Sequence, residues 1–391
     1  MQSFLKISIL VMLFLVSIFS TSSAQIPWTK DANNPVMSGS GQETWDKHLT
    51  PPCVLYNPDS EEYEMWFGAT LTGSHPFRVG FAISYDGISW SKYPHPVLEP
   101  DAGAWDESTV YSARVIRENG QYKMWYAGWS PSEKAGGIGY ATSPDGINWT
   151  KNKLNPVFPA GSSAWEAGAL DWFCVLPVQG GGYKMWYTAY NAALTKSGIG
   201  YATSVDGMVW QTDTLNNPVF TSGITGQWDE YVFNPHVLFL DGVYHMFYEG
   251  RQSSGNPRKM GWATSGDGIH WNKYNDPNTS GLYAESDPVL TPSSGQWDGN
   301  FIEPGTVMLE GDSLRLWYSG NLTPTSTNLW RVGHATAPFD SITTGLFDME
   351  DIRVADGYIL QQNYPCNKTT PIHSTQQRQS NSLYPNLNLL N

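Results

Sequence analysis

A unit of about sixty residues recurs five times between Trp28 and Pro338, and this periodicity limits the chain to a repeat architecture. Its clearest block is Tyr-x-Met-(Trp/Phe)-(Phe/Tyr), at Tyr63–Phe67, Tyr122–Tyr126, Tyr183–Tyr187 and Tyr244–Tyr248, with a fifth copy at Leu314–Tyr318. Behind the first four comes Ser-x-Asp-Gly-x-x-Trp: Ser84–Trp90, Ser143–Trp149, Ser204–Trp210 and Ser265–Trp271. Ahead of each unit stands Trp45-Asp46, Trp105-Asp106, Trp165-Glu166, Trp228-Asp229 or Trp297-Asp298. Short aromatic strands in a repeat of this length predict an all-β fold, a five-bladed β-propeller with four antiparallel strands per blade.

One blade shows how the unit reads. Val110–Ile116 is the inner strand, Asn119-Gly120 a two-residue hairpin turn, and Tyr122–Gly128 the second strand. A loop over 129–136 leads to a third strand at Gly137–Thr142, and Asp145-Gly146 turns into a fourth strand around Trp149. The last unit has a third strand at Val332–Thr336 but no Asp-Gly-x-x-Trp after it. Trp28-Thr29-Lys30 with Asn34-Pro35-Val36 reproduces Trp149-Thr150-Lys151 with Asn155-Pro156-Val157. The N-terminal segment is therefore expected to supply the missing outer strand and close the ring, leaving no open inner edge.

Flanking segments lie outside this array. Lys6 followed by the apolar run Ile7–Phe19 and a small polar stretch reads as a secretory signal peptide over 1–24, too short for a membrane span. The propeller is assigned to 25–340 and a C-terminal tail to 341–391, in which the polar segment 376–391 is expected to be disordered. A formal charge of −14 argues against nucleic acid and anionic membranes as partners, and a monomer is expected. The three cysteines are too few for a disulfide framework, and Cys53 and Cys174 read as small core residues. No zinc spacing, phosphate-binding glycine loop or nucleophile elbow is present, so no cofactor is expected; a structural calcium ion is compatible with such a channel, but no motif calls for it.

The repeats also permit an internal comparison. The Asp of each Ser-x-Asp-Gly turn and the acid of each Trp-Asp/Glu pair recur in every equivalent unit, which favours structural roles. Residues that break the repeat at the face carrying the longer loops are better functional candidates. Four positions before the inner-strand valine, blades three and five carry Asp171 and Glu303 where the others have Thr50, Tyr111 and Phe233. After the second-strand aromatics stands Glu249, in a column otherwise made of Gly68, Ala127, Thr188 and Ser319. Arg114, Asn234, His236, Arg251 and His48 are placed around the same mouth as binding residues, and Trp129, Trp172 and Tyr190 as aromatic platforms. Converging carboxylates suit glycosidic-bond chemistry, one acid protonating the leaving oxygen while another activates water or attacks the sugar. Pairing with arginines or backbone amides is the structural alternative for the same trio, leaving a non-catalytic carbohydrate-binding or scaffold propeller.

In its Met-Trp-Tyr, Gly-Tyr-Ala-Thr-Ser-x-Asp-Gly-x-x-Trp and Asn-Pro-Val order, the chain resembles the five-bladed glycoside hydrolase superfamily of arabinanases, β-xylosidases, invertases, levansucrases and mannoside phosphorylases, over about residues 27–340. The resemblance implies a polysaccharide or oligosaccharide substrate and an acid trio from the inner strands of blades one, three and four. Asp171 matches the third-blade position, for base or nucleophile. Glu303-Pro304 looks like the acid-plus-proline element but lies in blade five, while blade four has Asn234-Pro235 and blade one Thr50-Pro51. Glu303 or Glu249 is the expected general acid. Leu360–Pro365 with Asn367–Ile372 resembles the opening of a type nine secretion sorting domain, which implies export to the surface or medium of a Gram-negative bacterium.

Overall fold

The computed structural model describes residues 26–339, other than 131–134, 162, 168, 192, 194, 254, 256 and 323–328; the leader and the tail, with Cys366, lie outside the described residues. Five antiparallel sheets form the blades of a propeller, and the described residues contain one three-residue 3-10 turn, Gly281–Tyr283, besides strands. Blade two runs Thr109–Glu118, Gln121–Ser130, Ala135–Ser143 and Thr150–Lys151 from the axis outward, so its second and third strands reach further than the sequence suggests and shorten the loop between them. Blade one splits its inner strand into His48–Leu49 and Cys53–Asn57. The residue after each Pro-Val adds a further pairing to the third strand: Phe158 with Ile138, Phe220 with Ile199, Leu290 with Met260, and single bridges from Leu98 to Val79 and Met37 to Val332.

Closure follows the expected pattern. Thr29 pairs with Thr336 and Lys30 with Ala335, making Thr29–Lys30 the outer strand of the final blade beside Arg331–Pro338. Lys30 Nζ donates to Asp298 Oδ2 at 2.6 Å, in the place where Lys92 meets Asp46, Lys151 meets Asp106 and Lys273 meets Asp229. These four aspartates of the Trp-Asp pairs are buried, so each needs its lysine. Blade three has Thr212 at the lysine position, and there Glu166 accepts from the Tyr187 hydroxyl at 3.0 Å.

Neighbouring blades are sewn together at two levels. On the outer level, Ser84 Oγ accepts from Gly87 N, and Asp86 Oδ1 accepts from the amides of Ile88 and Ser89, which fixes the turn. The second-strand tryptophan of the preceding blade then donates to the turn glycine: Trp66 to Gly146 O, Trp125 to Gly207 O, Trp186 to Gly268 O and Trp317 to Gly87 O, all at 2.7–2.8 Å. The four repeated aspartates are thus turn residues. Blade five has no such turn and blade four has Phe247 in place of the tryptophan; Trp28 meets Phe247 edge-on at 5.9 Å instead.

At the inner level, the residue before each inner-strand valine reaches sideways to the next blade. Cys53 Sγ accepts from Val115 N, Arg114 Nε donates to Phe173 O, and Cys174 Sγ accepts from Val237 N. His236 Nε2 donates to Val307 O, and Thr306 Oγ1 accepts from Val54 N. This ring of lateral bonds lines the channel and accounts for both cysteines as buried wall residues.

Candidate functional site

Each inner strand of blades two to five carries a register shift near its mouth end: between Tyr111 and Arg114, Asp171 and Phe173, Phe233 and His236, and Pro304 and Thr306. Bulges of this kind re-aim side chains. Residues just before the shift face the mouth, and those just after it turn into the wall. Ser112 and Asn234 occupy the shift with φ of 51° and 50°.

In-register pairing then places the second-strand column. Glu249 lies opposite Phe233, Thr188 opposite Asp171 and Ser319 opposite Glu303. A Cβ added at Gly68, the blade-one member, would meet Thr50 Oγ1 and the Tyr111 Cβ of the next blade. Side chains in this column therefore point between their own inner strand and the neighbouring one, which directs Glu249 toward Glu303.

Arg258 joins them. It precedes the third strand Lys259–Ser265 by one residue, and its carbonyl accepts from Ile302 N of blade five at 3.2 Å. Its guanidinium lies 5.2 Å from the Phe301 ring centroid. Arg258 Nη1 forms a tight ion pair with Glu303 Oε1 and sits 3.4 Å from Glu249 Oε1. Two carboxylates on one nitrogen have their bound oxygens below about 6 Å apart. Both glutamates are buried, and Glu249 Oε2 has no hydrogen-bond partner among the described residues.

Asp171 completes the cluster. Its Oδ1 accepts from the Tyr111 hydroxyl at 2.8 Å and from Trp172 N at 2.9 Å. Burial pushes its carboxyl up to about 7, opposed by those two donors and reinforced by the charge of Glu303. Burial also raises Glu249, to about 8, against the pull of Arg258 and with a further push from Glu303. Glu303 is raised by burial as well, but Arg258 holds it closest and favours its ionised form. Burial thus pushes all three carboxyls toward their neutral forms, and Arg258 opposes it at both glutamates, lying nearer to Glu303 than to Glu249. Tyr190 faces Asp171 and Glu249, and burial keeps its phenol protonated.

The other sequence-derived candidates separate into two groups. Arg251 and Tyr190 stand at the mouth: Arg251 lies 4.8 Å from the Phe233 centroid, and Tyr190 packs on Phe233 at 5.6 Å. Trp172 meets Tyr111 edge-on at 6.4 Å, and Trp129 stacks on His75 at 5.7 Å. Arg114, Asn234 and His236 are instead engaged in the channel wall. Arg114 Nη2 donates to Asn234 Oδ1 at 3.3 Å, Asn234 Nδ2 donates to Pro304 O at 2.6 Å, and burial depresses His236 to about 3. His48 is buried edge-on to Trp330 at 5.8 Å, with no partner for either ring nitrogen among the described residues. Among the described residues, no group of three or more His, Cys, Asp or Glu is arranged to hold a metal ion, and no helix is long and apolar enough to cross a membrane.

These environments set a pH dependence. His48, His75, His236, His245 and His334 are all depressed, chiefly by burial, so protonating them in the unfolded chain costs native stability as pH falls below about 6.5. Asp171 and Glu249 are raised, so the native state holds protons that the unfolded chain releases, and their contribution is lost as pH rises toward 7 and 8. By about pH 7.5 the unfolded imidazoles are largely neutral, so from there to about pH 8.5 the acid effect dominates, and thermal melting at constant ionic strength should show stability falling across that window. An Asp171→Asn, Glu249→Gln double variant should flatten the fall; a wild-type protein that gains stability there, or a double variant with the same slope, contradicts these assignments.

No protein-family model matches the chain. An uncharacterised protein of Mycobacterium tuberculosis is 25% identical over 170 residues, 42% of this chain and 54% of that protein, so the match spans about half the relative's length. Several solved structures are similar in fold. The β-1,2-mannobiose phosphorylase from Listeria innocua superposes with a TM-score of 0.60 at 13% identity, covering 82% of this chain and 99% of its own. A glycosyl hydrolase from Bacteroides ovatus gives 0.57 at 19% identity, covering 80% and 94%. A structure from the GH130 family of mannoside phosphorylases, which contains glycoside hydrolases that target β-1,2 mannosidic linkages in Candida mannan, gives 0.58 at 18% identity, covering 82% and 98%. At these identities the likeness is one of fold.

Proposed function

We propose that this propeller is a carbohydrate-active protein that hydrolyses a glycosidic bond at the mouth holding Asp171, Glu249 and Glu303. The observation that carries the reading is the shared arginine: two buried glutamates meet one guanidinium, and a third, half-buried carboxyl lies close enough to feel Glu303. Such an arrangement drives neighbouring carboxyls into different protonation states, which acid–base cleavage of an acetal needs.

Glu249, kept protonated by burial, gives its proton to the leaving oxygen as the C1–O bond breaks and its electron pair stays with that oxygen. Asp171, in its ionised fraction, takes a proton from water as the water oxygen bonds to C1. Glu303 does neither; with Arg258 it sets the charge around Glu249. Solved structures of similar fold include glycoside hydrolases and mannoside phosphorylases, which supports a sugar ligand.

The test is release of reducing sugar from a panel of oligosaccharides and polysaccharides by the purified protein. Asp171→Asn should lower turnover by about 100-fold or more with the fold intact by circular dichroism. The commitment of Glu303 to Arg258 and of Asp171 to Tyr111 favours a second reading, a non-catalytic glycan-binding propeller. Glycan binding without any release of product, by wild type and variant alike, would establish that second reading and remove the first.

A further inference from the structure

The second strands bring a row of residues to the rim of the mouth, two positions beyond the Glu249 column. Thr70 pairs with His48, Trp129 with Thr109, Tyr190 with Ala169, Arg251 with Tyr231 and Asn321 with Phe301. Arg251 is the cation in an otherwise neutral row. Its guanidinium lies 4.8 Å from the Phe233 centroid and 5.5 Å from the Tyr231 centroid, and those rings stack 6.2 Å apart with an interplanar angle of 8°.

Arg251 differs from Arg258 in what it touches. Arg258 is committed to two carboxylates. Among the described residues the Arg251 side chain has no ion pair and no hydrogen bond, and its Nε is buried without a partner. A guanidinium supported on aromatic faces is held in orientation while its in-plane N–H groups stay open, the geometry suited to a two-oxygen anion. The neighbouring acids do not fill that role: Glu249 and Glu303 feel the charge of Arg251 but lie on Arg258.

We propose that Arg251 is a specificity-determining residue that binds the carboxylate of an acidic sugar, so that the glycan taken at this mouth carries a uronate beside the ring held by Tyr190. The inference rests on the glycan reading above and narrows it. Because Asp171 and Glu249 are pushed toward their neutral forms, the mouth presents Arg251 with less competing negative charge than three free acids would. The formal charge of −14 repels a long polyanion, so the ligand is a chain end or short oligosaccharide with few such groups.

Calorimetric titration of the full chain with uronate-bearing oligosaccharides, and with the same oligosaccharides after reduction of the carboxyl to the alcohol, reads the contact directly. The acidic form should bind about 10- to 100-fold more tightly, Arg251→Gln should remove that preference, and Arg251→Lys should retain part of it. Equal binding of acidic and reduced forms to wild type overturns the proposal, as does a preference that survives in Arg251→Gln. The wild-type comparison decides the matter even where the glutamine variant fails to fold. Inorganic phosphate that binds in an Arg251-dependent way, without any uronate preference, would assign the guanidinium to phosphate instead and also overturn it. Neutral glycans that bind as tightly as the acidic ones and are cleaved would leave the glycan reading standing while the uronate fails; a protein that binds and cleaves no glycan in either form defeats both.

Discussion

Replacing Arg258 with leucine should abolish turnover and cost about 3–5 kcal/mol of folding stability, the range seen when one partner of a buried ion pair is removed. Among the described residues the guanidinium is the only cation bonded to either glutamate, and both acids are buried. Their carboxyls, already raised by burial, would rise further, so the variant folds with more protons bound than its unfolded chain holds. The deficit is smallest below about pH 4, where the unfolded chain also holds most of its carboxyl protons, and it grows as pH rises through neutrality. Urea unfolding at pH 5 and pH 8 should show the gap between wild type and variant widening at the higher pH. Adding Glu303→Gln to the variant removes one uncompensated charge and should restore part of the loss, with a coupling energy of about 1–3 kcal/mol in the double-mutant cycle. A leucine variant that stays as stable as wild type at pH 8, or a cycle with no coupling, would mean that Arg258 does not organise this mouth.

The same residue shows where sequence reasoning stopped. Ring order, blade number and closure were legible because aromatic strands and Asp-Gly turns repeat at nearly constant spacing, and each copy interprets the others. Asp171, Glu249 and Glu303 stood out as acids in columns of neutral residues, and the structure brings them to one mouth. Arg258 breaks its own column in the same way: the equivalent positions at the starts of the other third strands hold Phe77, Gly136, Ser197 and Trp330. Extending the comparison from inner and second strands to the start of the third would have found it.

Arg114, Asn234 and His236 failed to show their surroundings for a different reason. Sequence offsets count residues evenly, whereas a bulge changes which way the following side chains face. The shifts between Tyr111 and Arg114, and between Phe233 and His236, turn those side chains toward the next blade. Two of the bulge residues, Ser112 and Asn234, have positive φ without being glycine, so no glycine marks the irregularity. The cysteines followed the same rule with an easier outcome, since a small wall residue reads as core from either direction.

Removing residues 26–37 should cost at least about 5 kcal/mol and open the propeller at its last blade. The segment buries Ile26 and Met37, and it sets Trp28 against Phe247 of blade four, at the one junction that lacks both a tryptophan and an Asp-Gly turn. It also carries Lys30, whose ammonium donates to Asp298, Ser293 Oγ and Thr291 O; without it, a buried aspartate faces Tyr318 with no counter-charge. Loss of the pairing with Thr336 and Ala335 further exposes the edge of Arg331–Pro338, where another chain could add a strand. Size-exclusion chromatography should therefore show association of the shortened protein, and its melting temperature should fall by about 5 °C or more. A synthetic peptide of residues 26–38 supplied in trans should bind the open edge and recover much of the loss, whereas the same peptide with Lys30→Met should recover less. A shortened protein that melts where the intact one does, or a peptide that restores nothing, would show that the ring holds without its leading strand and that the repeated lysine–aspartate pairs are incidental to closure.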